Sequence, residues 1–230
     1  VVDETKGRVP VIAGAGSNDT QKAIEFSKIA KKVGADALLH VSPYYNKPTP
    51  DGLVAHFQAI ASSVDLPIII YNVPGRTGSN VKAETTLRIA KEVPQVVGIK
   101  EASGDLNQMM EIIKGAPESF SVLSGDDSLT LPLMILGGKG CISVVSNETP
   151  KEFSAMISAS LDGNWEKAKE LHFKLLDLMN ANFIETNPIP VKTSLALMGK
   201  IKEVFRLPLV KITDKNREVL TQVLKKQNLI

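Results

Sequence analysis

Cysteine is almost absent from this 230-residue chain. Cys141 stands alone, so no intramolecular disulfide can form, and the stapled scaffolds of small secreted domains are excluded. No apolar run approaches the roughly 20 residues that span a bilayer. The opening VVDETKGR holds neither a signal-peptide core nor an Arg/Ser-rich transit pattern. An excess of one charge is missing too: 27 Lys plus Arg face 25 Asp plus Glu, and a net charge of +2 sets up no field for nucleic acid or anionic membrane. These absences point to a cytoplasmic protein whose partner is a small molecule. Metal-ligand spacing is lacking among His40, His56 and His172, which read as core or surface histidines. Gly14-Ala15-Gly16 has Asp19 where a dinucleotide fingerprint needs its third glycine, so Ser17-Asn18-Asp19 reads as a helix cap. No Walker loop or nucleophile elbow appears either.

What is present is an ordinary globular composition, 43% hydrophobic and 23% charged, in a length that suits one large domain. Short β-branched runs recur at 9–14, 35–41, 66–72, 95–100, 120–125 and 140–145. Continuous apolarity of this kind marks strands covered on both faces. Helix-period segments lie between them: Ala23, Phe26, Ala30 and Val33 on one stripe, then Leu53–Ile60 and Leu87–Ala90. The alternation predicts six parallel βα units over residues 1–150. Residues 151–230 turn helical, with stripes Phe153, Met156, Ile157, Leu161 and Leu171, Leu175, Leu178, Met179, and with further helices after Pro190 and Asp214. An open sheet and an eight-stranded barrel both fit six parallel strands; a barrel would lack two strands at its N-terminal side.

Three strands end in residues that a purely structural strand would not choose: VSPYYNKP at 41–48, YNVPGRTG at 71–78 and GIKEAS at 98–103. Alternation along QVVGIK sets Lys100 on the face of Val96 and Gly98, opposite Val97 and Ile99. A lone lysine there would ordinarily run out into solvent. Tyr71, however, ends the preceding strand one repeat earlier, so phenol and amine should stand level on adjacent strands. Burial in a barrel favours the free amine, which can attack a carbonyl and form a Schiff base while phenols shuttle protons. Tyr45 lies about one further repeat back, just beyond its strand. Arg76, in the Pro74–Gly78 turn, is either a solvated loop charge or a clamp for a carboxylate. Lys139 precedes its strand and belongs at the opposite rim, and Lys192 reads as a first-turn helical residue.

Together with LSGDD at 123–127 and NPIPVK at 187–192, these motifs closely resemble the dihydrodipicolinate synthase (4-hydroxy-tetrahydrodipicolinate synthase) family from about Gly7 to the C-terminus. That family belongs to the pyruvate-dependent, class I aldolase-like superfamily. The resemblance implies an α/β TIM (β/α)8 barrel with a C-terminal helical extension, of which this chain lacks the first two βα units. It implies a Schiff-base lyase for lysine and diaminopimelate biosynthesis that condenses pyruvate on Lys100 with L-aspartate 4-semialdehyde, with neither a metal nor an organic cofactor. By the same resemblance Tyr71 relays protons, Arg76 receives the semialdehyde's carboxylate, and Gly125 and Ile142 line the pyruvate pocket. Tyr45 enters a neighbouring subunit's site, which implies a homo-oligomer, dimer or tetramer. The family's GTTGE segment, source of a relay threonine, would precede residue 1, and the chain alone is expected to turn over poorly. Lys22 stands where lysine-inhibited members carry a carboxylate, four residues after the asparagine matching Asn18. Two other readings fit parts of this pattern: another pyruvate-type aldolase, such as N-acetylneuraminate lyase or a keto-deoxy sugar acid aldolase, which would not need Arg76, and an inactive barrel with a binding role.

Overall fold

Five of the β-branched runs become parallel strands hydrogen-bonded in chain order: β1 Ile12–Gly14, β2 Ala37–Val41, β3 Ile68–Asn72, β4 Val96–Glu101 and β5 Ser121–Ser124. The computed structural model describes residues 1–230 as two compact units, one of Val1–Gly125 with Leu136–Lys139, the other of Asp126–Ile135 with Gly140–Ile230. The first unit also holds α1 Val2–Thr5, α2 Thr20–Lys32, α3 Pro50–Ser63, α4 Pro74–Thr77, α5 Ala83–Glu92 and α6 Leu106–Gly115. The second holds α7 Thr130–Ile135, the sixth strand β6 Gly140–Cys141, and the helices α8 Pro150–Leu161, α9 Trp165–Ala181, α10 Ile189–Leu197 and α11 Asp214–Lys226.

Register sorts the first unit's side chains into rows. Leu38 pairs with Ile68, His40 with Ile70, Ile70 with Ile99, and Ile99 with Val122. All of these are buried, on the face that the helices cover with Phe57, Ile60, Ile89, Met109 and Ile112. Because side chains alternate along a strand, the next row on the opposite face is Val41, Tyr71, Lys100 and Leu123. Each member of that row is only half-buried. The second unit's core gathers Val145, Phe153, Met156, Leu175, Leu178, Leu220 and Leu224.

Three expectations need correction. The α2 stripe is Ala23, Ser27 and Ala30, while Phe26 and Val33 are exposed. Ser27 faces the sheet because its hydroxyl donates to the Ala23 carbonyl at 2.6 Å and meets His40 Nε2 at 3.2 Å, and Phe26 instead packs beneath the Lys22 ammonium. The run 140–145 is a strand only at Gly140–Cys141. Asp127 draws its far end into a 3₁₀ turn, its carboxylate accepting from the Val144 N–H at 3.1 Å and the Val145 N–H at 2.7 Å. Leu161, placed on the α8 stripe, is exposed at the helix's last residue.

The histidines are core residues. His40 lies against Ser27, and His56 Nδ1 meets the Thr20 hydroxyl at 2.9 Å. Burial holds both imidazoles down to about 4, with His56 lowering His40 further. The unfolded chain therefore takes up protons that the folded one refuses, and stability is full above the ordinary imidazole value near 6.5 and falls as pH drops toward 4. The loss is on the order of 3 kcal/mol for each imidazole. Glu148 works in the opposite sense. Burial pushes its carboxyl up to about 7 despite the Asn182 amide that donates to it at 2.6 Å, so its contribution is present at acid pH and lost as pH rises through 7. Glu148→Gln should therefore steepen the fall in stability between pH 7 and 4.5, as read from urea midpoints; an unchanged slope would contradict the buried acid.

Candidate active site

Lys100 and Tyr71 are direct register partners on β4 and β3, as their 29-residue separation predicts. The Lys100 amine sits over the face of the Tyr71 ring, 4.1 Å from its centroid. Burial raises the Tyr71 phenol above its ordinary value, and the Arg76 guanidinium pulls it part of the way back. Amine, phenol and guanidinium are thus brought into one electrostatic neighbourhood. One expectation about the strand fails: the register skips between the Ile68 and Ile69 pairs, so Val97 is bulged and exposed, and Val96, paired with Ile68, is buried on the face of Ile99 rather than that of Lys100. Gly98 and Lys100 keep their shared face beyond the bulge. Gly98 lies so close to β5 that a Cβ there would stand 2.5 Å from the Ser121 carbonyl oxygen.

Arg76 rides on α4, a single turn that starts at Pro74 and ends where Gly78 adopts φ +70°, a conformation that favours glycine. The turn is fixed from within, as the Thr77 hydroxyl donates to the Ser79 carbonyl at 2.8 Å. Tyr45 is joined to the same turn through its backbone, its N–H donating to the Thr77 carbonyl at 3.3 Å. Its side chain behaves differently from that of Tyr71. Tyr45 has φ +69° and is 89% exposed, an outlying backbone conformation that presents a phenol outward.

Gly125 stands against Lys100. Its N–H donates to the Glu101 carbonyl, and a Cβ on it would meet Ala102 Cβ at 2.6 Å and Lys100 Cε at 3.0 Å. Only glycine leaves the lysine stem its place. Gly125→Ala is accordingly expected to slow capture of a carbonyl substrate by Lys100 by about tenfold or more, since small misplacements of reacting groups are costly. Single-turnover trapping measures this directly, and an unchanged rate would show that the stem is not confined. Ile142 is half-buried just after β6 and belongs to the second unit. The competing lysines stand elsewhere. Lys139 is exposed with its N–H on the Val122 carbonyl, while Lys192 Nζ donates to the Val204 carbonyl at 2.6 Å and covers the Phe205 ring.

Sequence reading missed Glu101, which is fully buried beside Lys100 on the helix-covered face. Its carboxylate accepts from Asn72 Nδ2 and Gln108 Nε2, each at 2.9 Å, and from the Ser103 N–H at 2.7 Å. The signal was available in GIKEAS: a carboxylate one residue after a strand-end lysine must point under the helices.

Comparison with known proteins places the chain in a family. Residues 1–227 match the dihydrodipicolinate synthetase family. A 4-hydroxy-tetrahydrodipicolinate synthase from Maridesulfovibrio salexigens is 55% identical over 229 residues, which span 100% of this chain and 78% of the relative. The crystal structure of dihydrodipicolinate synthase from Thermotoga maritima, 48% identical, superposes with a TM-score of 0.98 over 100% of this chain and 79% of its own. That of Acinetobacter baumannii, solved as a complex with pyruvate, is 45% identical with a TM-score of 0.97, covering 100% of this chain and 78% of its own. Sequence likeness along the whole chain and near-superposable backbones lead to one conclusion: the chain belongs to the dihydrodipicolinate synthetase family.

Proposed function

We propose that this protein is a Schiff-base lyase that condenses pyruvate with L-aspartate 4-semialdehyde to 4-hydroxy-tetrahydrodipicolinate, a step of lysine and diaminopimelate biosynthesis. The observation that carries the reading is the Lys100 amine seated over the Tyr71 ring on the half-buried row of the sheet. In this reading the amine adds to the ketone carbon of pyruvate, and loss of water leaves a Schiff base. A methyl proton departs to give the enamine, whose carbon then bonds to the aldehyde carbon of the semialdehyde. Tyr71 donates a proton to the developing alkoxide. The semialdehyde's own amine next attacks the imine carbon, closing the ring and releasing Lys100. Arg76 holds the semialdehyde's carboxylate, while Gly125 borders the pyruvate.

The finer architecture belongs to the same proposal. Residues 1–150 would be six βα units of an eight-stranded barrel that two further units complete against the edge of β1, with the helices of 151–230 as an extension. A groove lined by Val2, Val11, Ile12 and Val33 runs along that edge and supports it. Tyr45, exposed and held at positive φ, is proposed to enter the site of a second subunit in a dimer or tetramer. No helix is long and apolar enough to cross a membrane, and cytoplasmic action is part of this reading.

A substrate panel tests the function. Full-length enzyme given pyruvate should consume aspartate semialdehyde and leave N-acetylmannosamine and keto-deoxy sugar acids untouched. The reverse preference would favour another pyruvate aldolase, and no turnover at all would favour a binding protein. L-lysine should inhibit weakly or not at all, because Lys22, paired with Glu25 at 3.0 Å, sets an ammonium where a lysine effector needs a carboxylate. Strong inhibition at millimolar lysine would contradict this.

A further inference from the structure

We propose that Glu101 is a positioning residue for the second substrate: its buried carboxylate fixes the segment carrying Arg76 against the strands carrying Tyr71 and Lys100. This rests on the roles given above to Arg76 and Lys100. A carboxylate with no exposed surface must have its oxygens occupied by donors, and for stability alone an apolar residue under α6 would serve as well. The donors here come from three different places. Asn72 ends β3, Ser103 follows β4, and Gln108 lies on α6.

Two of these donors also grip the far end of the Arg76 segment. Asn72 Nδ2 donates to Asn80 Oδ1 at 2.8 Å, and Asn72 Oδ1 accepts from the Val81 N–H at 3.0 Å. Gln108 Oε1 accepts from Asn80 Nδ2 at 2.9 Å. From Val81 back to Arg76 the chain is held again by Thr77, whose hydroxyl donates to the Ser79 carbonyl and whose backbone N–H donates to the Val73 carbonyl. Glu101 is the common acceptor that orients both amides, and the amides fix Asn80 and Val81. Through them the carboxylate sets the separation between the guanidinium on α4 and the amine on β4.

Glu101→Gln tests this without a change of volume. Either orientation of the new amide turns an NH2 toward existing donors, Ser103 on one side or Asn72 and Gln108 on the other. We expect the KM for aspartate semialdehyde to rise about tenfold or more, while the KM for pyruvate and the borohydride-trapped adduct on Lys100 stay within about twofold. Asn80→Ala, at an exposed position, should move the same constant in the same direction and decides the matter if Glu101→Gln does not fold. In an Arg76→Ala background neither change should add further to the semialdehyde KM. Multiplicative effects in that background, or equal losses for both substrates, would overturn the positioning role. A wild-type enzyme that forms no Lys100 adduct would instead overturn the proposed reaction.

Discussion

Lys100→Met should fold like the parent and lose turnover by a factor on the order of 10⁴ or more, the scale seen when a nucleophile is removed. Methionine fills the half-buried slot beneath Tyr71 but offers no lone pair to a ketone. Lys100→Arg separates nucleophile from charge, because guanidinium keeps a cation over the Tyr71 ring yet does not form the imine. Both variants should be equally inactive in steady-state assays. Partial activity in the arginine variant would mean that Lys100 acts by its charge, and the covalent route would then be wrong.

Arg76→Ala should divide the two substrates. Arg76 is exposed on α4, so losing its charge-assisted contact should cost about 1.5–3 kcal/mol, or roughly 10- to 150-fold in kcat/KM for aspartate semialdehyde. Adduct formation with pyruvate should change little. A second readout follows from the electrostatics. Burial already raises the Tyr71 phenol and Arg76 opposes that rise, so the variant's phenol moves further up and the alkaline limb of its pH profile shifts the same way. Equal losses for both substrates would remove Arg76 from the second substrate's subsite.

The sequence made the reacting pair legible because βα repeats convert residue spacing into height on a sheet. Tyr71 and Lys100 are one repeat apart, and parallel register aligns them. Two features escaped because they depend on single long-range contacts. The bulge at Val97 arises from how β4 meets β3, and alternation cannot foresee an unpaired residue. The 3₁₀ turn at Val145–Asn147 depends on an Asp127 carboxylate 18 residues upstream. Phe26 was assigned to the core by period alone, whereas Ser27 takes that place through its hydrogen bonds. Glu101 was passed over since nothing in a linear reading shows that Asn72, Asn80 and Gln108 converge on it.

The most direct test of the covalent chemistry is to incubate full-length enzyme with pyruvate, reduce with borohydride and map the modified peptide by mass spectrometry. The label should lie on Lys100 alone, and Lys100→Met should take up none. A label on Lys139 or Lys192 with Lys100 unmodified, or no label under conditions of full turnover, would contradict the account.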